Sequence, residues 1–454
     1  MSALTETTSP SFGRAARAAG ILTAGRQIGA VVLTVGVLVL PRFVAAPTLN
    51  PFLWAYFGEL LLSSVLNLGL ERYTAREVAG DESPARILGA ALRGRLATAV
   101  LTPLALALFF ASVNVHLPAG AWVAVSAWTL AVQFEGVFFA ALRAADRATI
   151  EAGLALVGRV VQTIALVAVA ASGSGVTGLL GVVAAAEVAV ALAAAYAGLR
   201  IVGVELGAAL PYRKLAVYTA LELSVYAYLR ADLIVVGRIL GSTDGATYGF
   251  GYRLIDALAA LATPALLVLF AYASGQAARG EGLADTRRRA QMLLPALGVV
   301  LAAACIGGLG ILVDVLPRLG DAAATLRLLV ATVPMTYWIG VEAHLLSAED
   351  RNRRVVVTGV VALALNIALN VVLVSRYGMI GAGVALIATE AVQMIGLSVR
   401  HPAALRGARK VALLVAMLVA ASLCINAHVV WVGAIALAGA VVLALALMRS
   451  EALA

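Results

Sequence analysis

The chain has 454 residues, 62% of them hydrophobic and only 13% charged, with a mean hydropathy of +0.99. That apolar content excludes an ordinary soluble domain, and the formal charge of +9 needs no nucleic-acid partner once the basic residues are placed. The two cysteines, Cys305 and Cys424, stand in apolar stretches and offer neither a disulfide framework nor a metal spacing.

The N-terminus, MSALTETTSPSFG, reads as a cytosolic tail over 1–17, without the basic start, short apolar core and small-residue site of a removable signal peptide. A spanning helix needs about 20 mostly apolar residues. About fourteen such stretches follow, near 18–40, 51–70, 96–113, 119–141, 150–172, 176–198, 215–239, 247–273, 291–315, 324–347, 355–375, 379–398, 410–427 and 429–448. The expected fold is therefore an all-α polytopic membrane protein.

Alternate loops sort by charge. One set carries Arg72, Arg76, Arg86, Arg93, Arg95, Arg143, Arg147, Arg200, Arg213, Lys214, Arg279, Arg287 to Arg289, Arg351, Arg353, Arg354, Arg400, Arg406, Arg409 and Lys410. The other holds Arg42, Arg238, Arg318, Arg327 and Arg376. The positive-inside bias puts the first set and both termini in the cytoplasm, in a cytoplasmic (inner) membrane, with some attraction to anionic lipid headgroups. Trp54, Trp122 and Trp431 fall near outer span ends, where an interfacial aromatic belt belongs.

The sequence repeats itself. LRAADRATIEAG…GSGVTGLLGVVAAAEVAV (Leu142 to Val190) returns as LSAEDRNRRVVV…RYGMIGAGVALIATEAVQM (Leu346 to Met394), matching Asp146-Arg147 to Asp350-Arg351, Gly178 to Gly381 and Glu187 to Glu390, about 204 residues apart. Six spans return a chain to its starting side, so two six-helix lobes related by a pseudo-twofold axis along the membrane normal are expected, with a substrate route between them. The lobes would occupy 18–200 and 215–400, joined by a cytoplasmic linker at 201–214, and two extra helices would fill 401–454.

Polar residues within the spans carry the functional argument, because an ionised side chain near a bilayer centre costs at least about 2.5 kcal/mol and normally faces a bundle interior or a wet cavity. The hairpin from Tyr218 to Leu261 holds five of them: Glu222, Arg230, Asp232, Arg253 and Asp256. Tyr218, Glu222, Tyr226 and Arg230 recur every four residues and form one stripe along a helix. Glu59, Glu135, Glu187, Glu342 and Glu390 add carboxylates suited to H⁺ or Na⁺ coupling. Glu187 and Glu390, being repeat-related, suggest a shared structural role. No GxxxxGK[ST] phosphate-binding loop occurs, so ATP coupling within the chain is not expected. Pro334 should kink the tenth span ahead of Glu342 and His344, and Asn366 with Asn370 should bond across helices.

Three segments carry a family resemblance: GELLLSSVLNLGLERYTAREVAG, YLRADLIVVGRILGSTDGATYGFGYRL and LNIALNVVLVSRYGMIGAGVALIATE. Their order, from about Arg26 to Arg400, resembles the polysaccharide flippases, within the superfamily that also holds the multidrug and toxic compound extrusion antiporters and the lipid II flippases. The resemblance implies a V-shaped, two-lobed transporter of a polyprenyl-diphosphate-linked oligosaccharide, working beside glycan-assembly proteins, with no cofactor or metal. Such cargo needs a cation in the chamber, and the planar guanidinium pairs phosphate oxygens while keeping its charge. The candidates for that cation are Arg26, Arg159, Arg230 and Arg253, and the substrate-binding residues expected are Arg26, Arg230 and Arg253 with Tyr226 and Tyr252. The ion-coupling candidates are Glu59, Glu222, Asp232, Asp256 and Glu342.

Two alternatives stand beside this reading. An ion-coupled multidrug antiporter of the same superfamily would be expected to carry an acid in the first span, which has Arg26 and Gln27 instead. A membrane enzyme of polysaccharide assembly would need an ordered catalytic loop, whereas the outer loops are short and neither His116 nor His428 has an acidic neighbour to orient it.

Overall fold

The structure, a computed structural model, describes residues 12–80, 83–145, 147–205, 215–216, 219, 231–278, 280, 282–315, 320, 322–349, 351–399 and 402–452. Backbone groups in hydrocarbon must be satisfied within their own segment, which makes the helix the natural spanning unit for so apolar a chain. Helices are the only regular elements among the described residues. The N-terminal half forms α1 (Phe12–Val39), α2 (Ala46–Val65), α3 (Leu70–Gly80), α4 (Pro84–Ala99), α5 (Leu101–Ser112), α6 (Ala119–Ala144), α7 (Ala148–Ala171) and α8 (Val176–Ile201). The remainder forms α9 (231–240), α10 (Ser242–Ala278), α11 (Ala284–Val315), α12 (Ala323–Val330), α13 (Val333–Ala348), α14 (Asn352–Tyr377), α15 (Met379–Ser398), α16 (Pro402–Asn426) and α17 (Val430–Ala452).

Among the described residues, eleven helices are long and apolar enough to cross a membrane, α12 and α13 counting as one, or twelve if α4 and α5, bent by 45° at their junction, make one broken span. Of the fourteen spans expected, the second corresponds to α2, which is not among these. It carries Asn50, Trp54, Tyr56 and Glu59, yet Phe52 to Glu59 are all buried, so protein rather than lipid covers its polar groups. Most of the seventh span lies outside the described residues. The kink expected from Pro334 falls at a turn just ahead of it: α12 ends and α13 begins at Ala331 and Thr332, which keep right-handed helical dihedrals.

Helices α1–α8 pack on one another, α10–α17 do the same, and the two groups meet chiefly where α10 lies against α1 and α2. The C-terminal pair, α16 and α17, packs on itself and on α11. In the C-terminal lobe the start of α14 meets the end of α15 at an arginine-rich end, where Arg351, Arg353 and Arg354 lie together.

Three expectations are corrected by what covers the residues concerned. Trp54 does not belong to a lipid-facing belt: its ring is fully buried against Gly237 and Gly245, and its indole N–H donates to the Ser242 carbonyl at 2.7 Å, across the lobe boundary. Trp431, by contrast, is 85% exposed and Trp122 packs half-buried on Phe110. Arg95 is not a topology signal in a loop. It lies in α4, fully buried, and donates to the Leu66 carbonyl at 2.7 Å and to Asn67 Oδ1 at 2.7 Å, where Leu68 and Gly69 take positive φ after α2 ends. A cation there meets carbonyls that no further helical turn can satisfy. Asn366 and Asn370 bond along α14 itself, Asn370 donating to the Asn366 carbonyl at 2.9 Å, rather than across helices.

The repeat-matched Gly381 shows why that position is small. The α14–α15 turn is a single residue, Gly378, at φ +58°, and it folds α15 so tightly onto α14 that a Cβ on Gly381 would lie 2.2 Å from the Leu373 carbonyl oxygen. Gly381→Ala should therefore force the hairpin apart at a cost of about 1–3 kcal/mol. This is read as a lowered unfolding midpoint of the purified protein in detergent, while Gly359→Ala, inside α14 with open space at its Cβ, does not lower the midpoint.

Candidate substrate chamber

A cavity of about 280 Å³ lies where the lobes meet. Its walls come from α1 (Ala30 to Thr34), Tyr56, Glu59 and Leu60 of α2, Trp128 of α6, Arg159 of α7, and Arg253, Asp256, Ala257 and Ala260 of α10. Four of these residues carry formal charge, two cationic and two anionic, gathered from three helices, α2, α7 and α10.

Arg253 is 4% exposed. Its guanidinium sits 4.3 Å from the Tyr56 ring centroid and 5.2 Å from that of Phe57, both on the opposite lobe. Stacking on two ring faces supplies cation–π attraction worth more here than at an exposed site. Its Nη1 also reaches Tyr56 Oη at 3.5 Å and Asp256 Oδ2 at 3.4 Å, one helical turn on. Its Nε has no hydrogen-bond partner. The cation is thus held by aromatic faces and one loosely placed carboxylate, with donor capacity left over.

Arg159 is bound differently. It meets Glu187 of α8 in a two-pronged pair, Nη1 to Oε2 at 2.9 Å and Nη2 to Oε1 at 3.4 Å. Gln162 completes a triangle, accepting from Arg159 at 2.7 Å and donating to Glu187 at 3.1 Å. Glu135 of α6 stands beside Glu187 with its Oε2 buried and unbonded, and Glu59 lies within electrostatic reach of both arginines. The N-terminal lobe therefore surrounds one strongly paired cation with three carboxylates.

The sequence-derived candidates divide accordingly. Arg253, Asp256, Glu59 and Arg159 come together in the chamber. Tyr252, the next residue along α10, packs on Tyr248 at 5.8 Å and is not part of the lining. Asp232 is buried, accepting from Tyr248 Oη at 2.6 Å and from the Leu233 N–H at 2.8 Å. Glu342 sits fully buried inside the C-terminal lobe, where it accepts from Arg287 Nε at 3.2 Å and Gln291 at 2.7 Å. Arg26 is exposed and paired at 3.5 Å with Glu151, which Arg143 approaches at 3.0 Å. Arg230, Tyr226 and Glu222 lie outside the described residues. Trp128 and the stacking role of Tyr56 were not read from the sequence; no local pattern marks a ring whose partner is nearly 200 residues away.

No protein-family model matches the sequence, and no curated protein does. Solved structures do match. A lipid II flippase, MurJ, in an inward closed conformation superposes with a TM-score of 0.72 over 95% of this chain and 99% of its own, at 10% identity. An inward-facing multidrug resistance MATE family transporter of the MOP superfamily gives 0.61 over 88% and 98%, at 15% identity. A MOP superfamily transporter from Pyrococcus furiosus, described as having a binding pocket of reversed polarity, gives 0.58 over 88% and 96%, at 14% identity. This chain shares the fold of these transporters. The resemblance read from the three sequence segments is met at the level of that fold. Within it, the chamber described above occupies the contact between the lobes, and both lobes contribute its charges.

Arg159→Gln should lower stability by about 3 kcal/mol, because it strands the buried Glu187 carboxylate. The double variant Arg159→Gln/Glu187→Gln should recover most of the loss, measured as unfolding midpoints of the four proteins of the double-mutant cycle in detergent.

Proposed function

We propose that the chain is a flippase that carries a polyprenyl-diphosphate-linked oligosaccharide across the cytoplasmic membrane by alternating access, in the assembly of a surface polysaccharide. The observation that carries this reading is Arg253: a buried guanidinium facing a cavity between two lobes, with an unused Nε and no tight carboxylate partner. A diphosphate crossing a low-dielectric layer needs a cation in place before it arrives, and arginine offers a fork that bonds phosphate oxygens without giving up its charge. A volume of about 280 Å³ suits a headgroup, with the saccharide passing as the lobes part and the prenyl tail staying in lipid.

Glu59 and Asp256 are the chamber carboxylates available for H⁺ or Na⁺ coupling. Asp232 and Glu342, bonded elsewhere, serve as packing groups, and Arg26 serves the arginine-rich loops, which we place in the cytoplasm by the positive-inside bias. In this reading the protein moves its cargo without chemical change, so it is a carrier and not an enzyme.

A second reading has its own support. The chamber is balanced in charge, and a pocket holding Glu59 and Asp256 could equally take an organic cation, as an ion-coupled multidrug antiporter requires. The two readings separate in cells that depend on this protein for a surface glycan. Arg253→Ala should lower glycan display by about tenfold or more, the size of one lost hydrogen-bonded charge contact, with Arg253→Lys intermediate. Membrane protein level is checked in parallel. Undiminished display at equal protein level would remove the flippase reading, and loss of dye efflux in its place would install the antiporter.

A further inference from the structure

A second polar hollow lies at the arginine-rich end of the C-terminal lobe, away from the chamber. It is an open groove of about 870 Å³ between the first turns of α14 and the last turn of α15, lined by Arg351, Arg353, Arg354, Val357, Thr358 and Val399 with Gly396. We infer that this groove is a binding site for the phosphate headgroup of an anionic membrane phospholipid, a role independent of the transport reading.

Its geometry combines fixed charge with an apolar exit. Arg354 is anchored: its Nε and Nη2 both donate to the Gly396 carbonyl, at 3.1 and 2.9 Å, which sets its guanidinium against α15. Arg353 is exposed one residue earlier, and Arg351 stands at the helix start. Among the described residues the anion nearest these arginines, Glu349, is shared, lying 3.6 Å from Arg351 and 2.9 Å from Arg287, and the groove lining itself holds three arginines and no acid. Just beyond the arginines the walls turn apolar and outward: Val357 is 53% exposed and Val399 67%. A soluble phosphate would use only the charged part. A phospholipid uses both, its phosphate on the guanidinium groups and its chains along the valines, as basic pockets between spanning helices do for anionic headgroups.

The internal repeat argues that this groove is more than an orientation signal. Asp350-Arg351 matches Asp146-Arg147, but the residues after the N-terminal pair are Ala148, Thr149 and Ile150, where the C-terminal lobe has Asn352, Arg353 and Arg354. The shared lobe plan stands without the extra arginines on one side, so their presence on the other calls for a separate cause.

The test uses the purified full-length chain in neutral detergent with three probes: dioleoylphosphatidylglycerol, dioleoylphosphatidylcholine with the same tails, and inorganic phosphate. Lipid adducts are counted by native mass spectrometry, and the unfolding midpoint is followed in parallel. The wild-type protein should retain phosphatidylglycerol in preference to phosphatidylcholine and gain stability from it, with no equal gain from inorganic phosphate. Arg351→Gln/Arg353→Gln, which leaves the Arg354 anchor in place, should weaken phosphatidylglycerol binding by about tenfold. Arg406→Gln, in a different basic groove, should leave it unchanged. Equal retention of the two lipids by the wild type would overturn the inference without any variant. So would unchanged binding in the double variant, an equal loss with Arg406→Gln, or stabilisation by inorganic phosphate matching that by the lipid.

Discussion

A guanidinium placed deep in an apolar bundle has to be compensated by what it faces, protein groups or a cavity. In this chain the lobes share that task at Arg253, which belongs to α10 but rests on Tyr56 and Phe57 of α2. The same helix pair is tied again by Trp54, whose indole reaches the Ser242 carbonyl between Gly237 and Gly245. Contact between the lobes is therefore built from a few long-range groups around one charge, while most other packing stays within a lobe. The charge at the centre of that contact is the one on which the proposed function rests.

The two lobes repeat in plan but not in electrostatics. Glu187 of α8 is matched by Glu390 of α15, and both are buried. Glu187 answers Arg159, with Gln162 between them, whereas Glu390 accepts a bond from Thr336 Oγ1 at 2.8 Å and its other oxygen is unbonded. The residue that matches Gln162 is Asn366, and where Arg159 stands the second lobe has apolar side chains. Charge in the chamber thus comes from a paired arginine on one side and a loosely held one on the other. The shared structural role expected for the two glutamates holds only in that each bridges helices, with different partners.

Much of the architecture was legible because hydropathy reports helix length directly. The apolar stretches that match the eleven or twelve candidate spans and the interruption ahead of Pro334 both depend on local composition. What failed was whatever depended on cover. Trp54 looks like a belt residue until α9 and α10 close over it, and Arg95 looks like a loop cation until α4 extends back to Pro84 and buries it among the α2 carbonyls. Of the candidate site, Arg253, Asp256 and Glu59 could be named because charge in a span is itself a signal. Tyr252 could be named as the ring next to Arg253 in sequence, but the ring that faces the cation is Tyr56 of α2, which no local pattern marks. Asp232 and Glu342 were equally conspicuous in sequence, and only their partners, Tyr248 and Arg287, remove them from the chamber.

The central claim is that Arg253 receives a phosphorylated lipid head. Equilibrium binding of a short-chain polyprenyl diphosphate to the purified protein, wild type against Arg253→Gln, addresses it without any cellular pathway. The account requires measurable binding by the wild type, a loss of about tenfold or more in the variant, and no loss in Arg26→Gln, whose side chain lies outside the chamber. Equal affinity of the wild type and Arg253→Gln would contradict it.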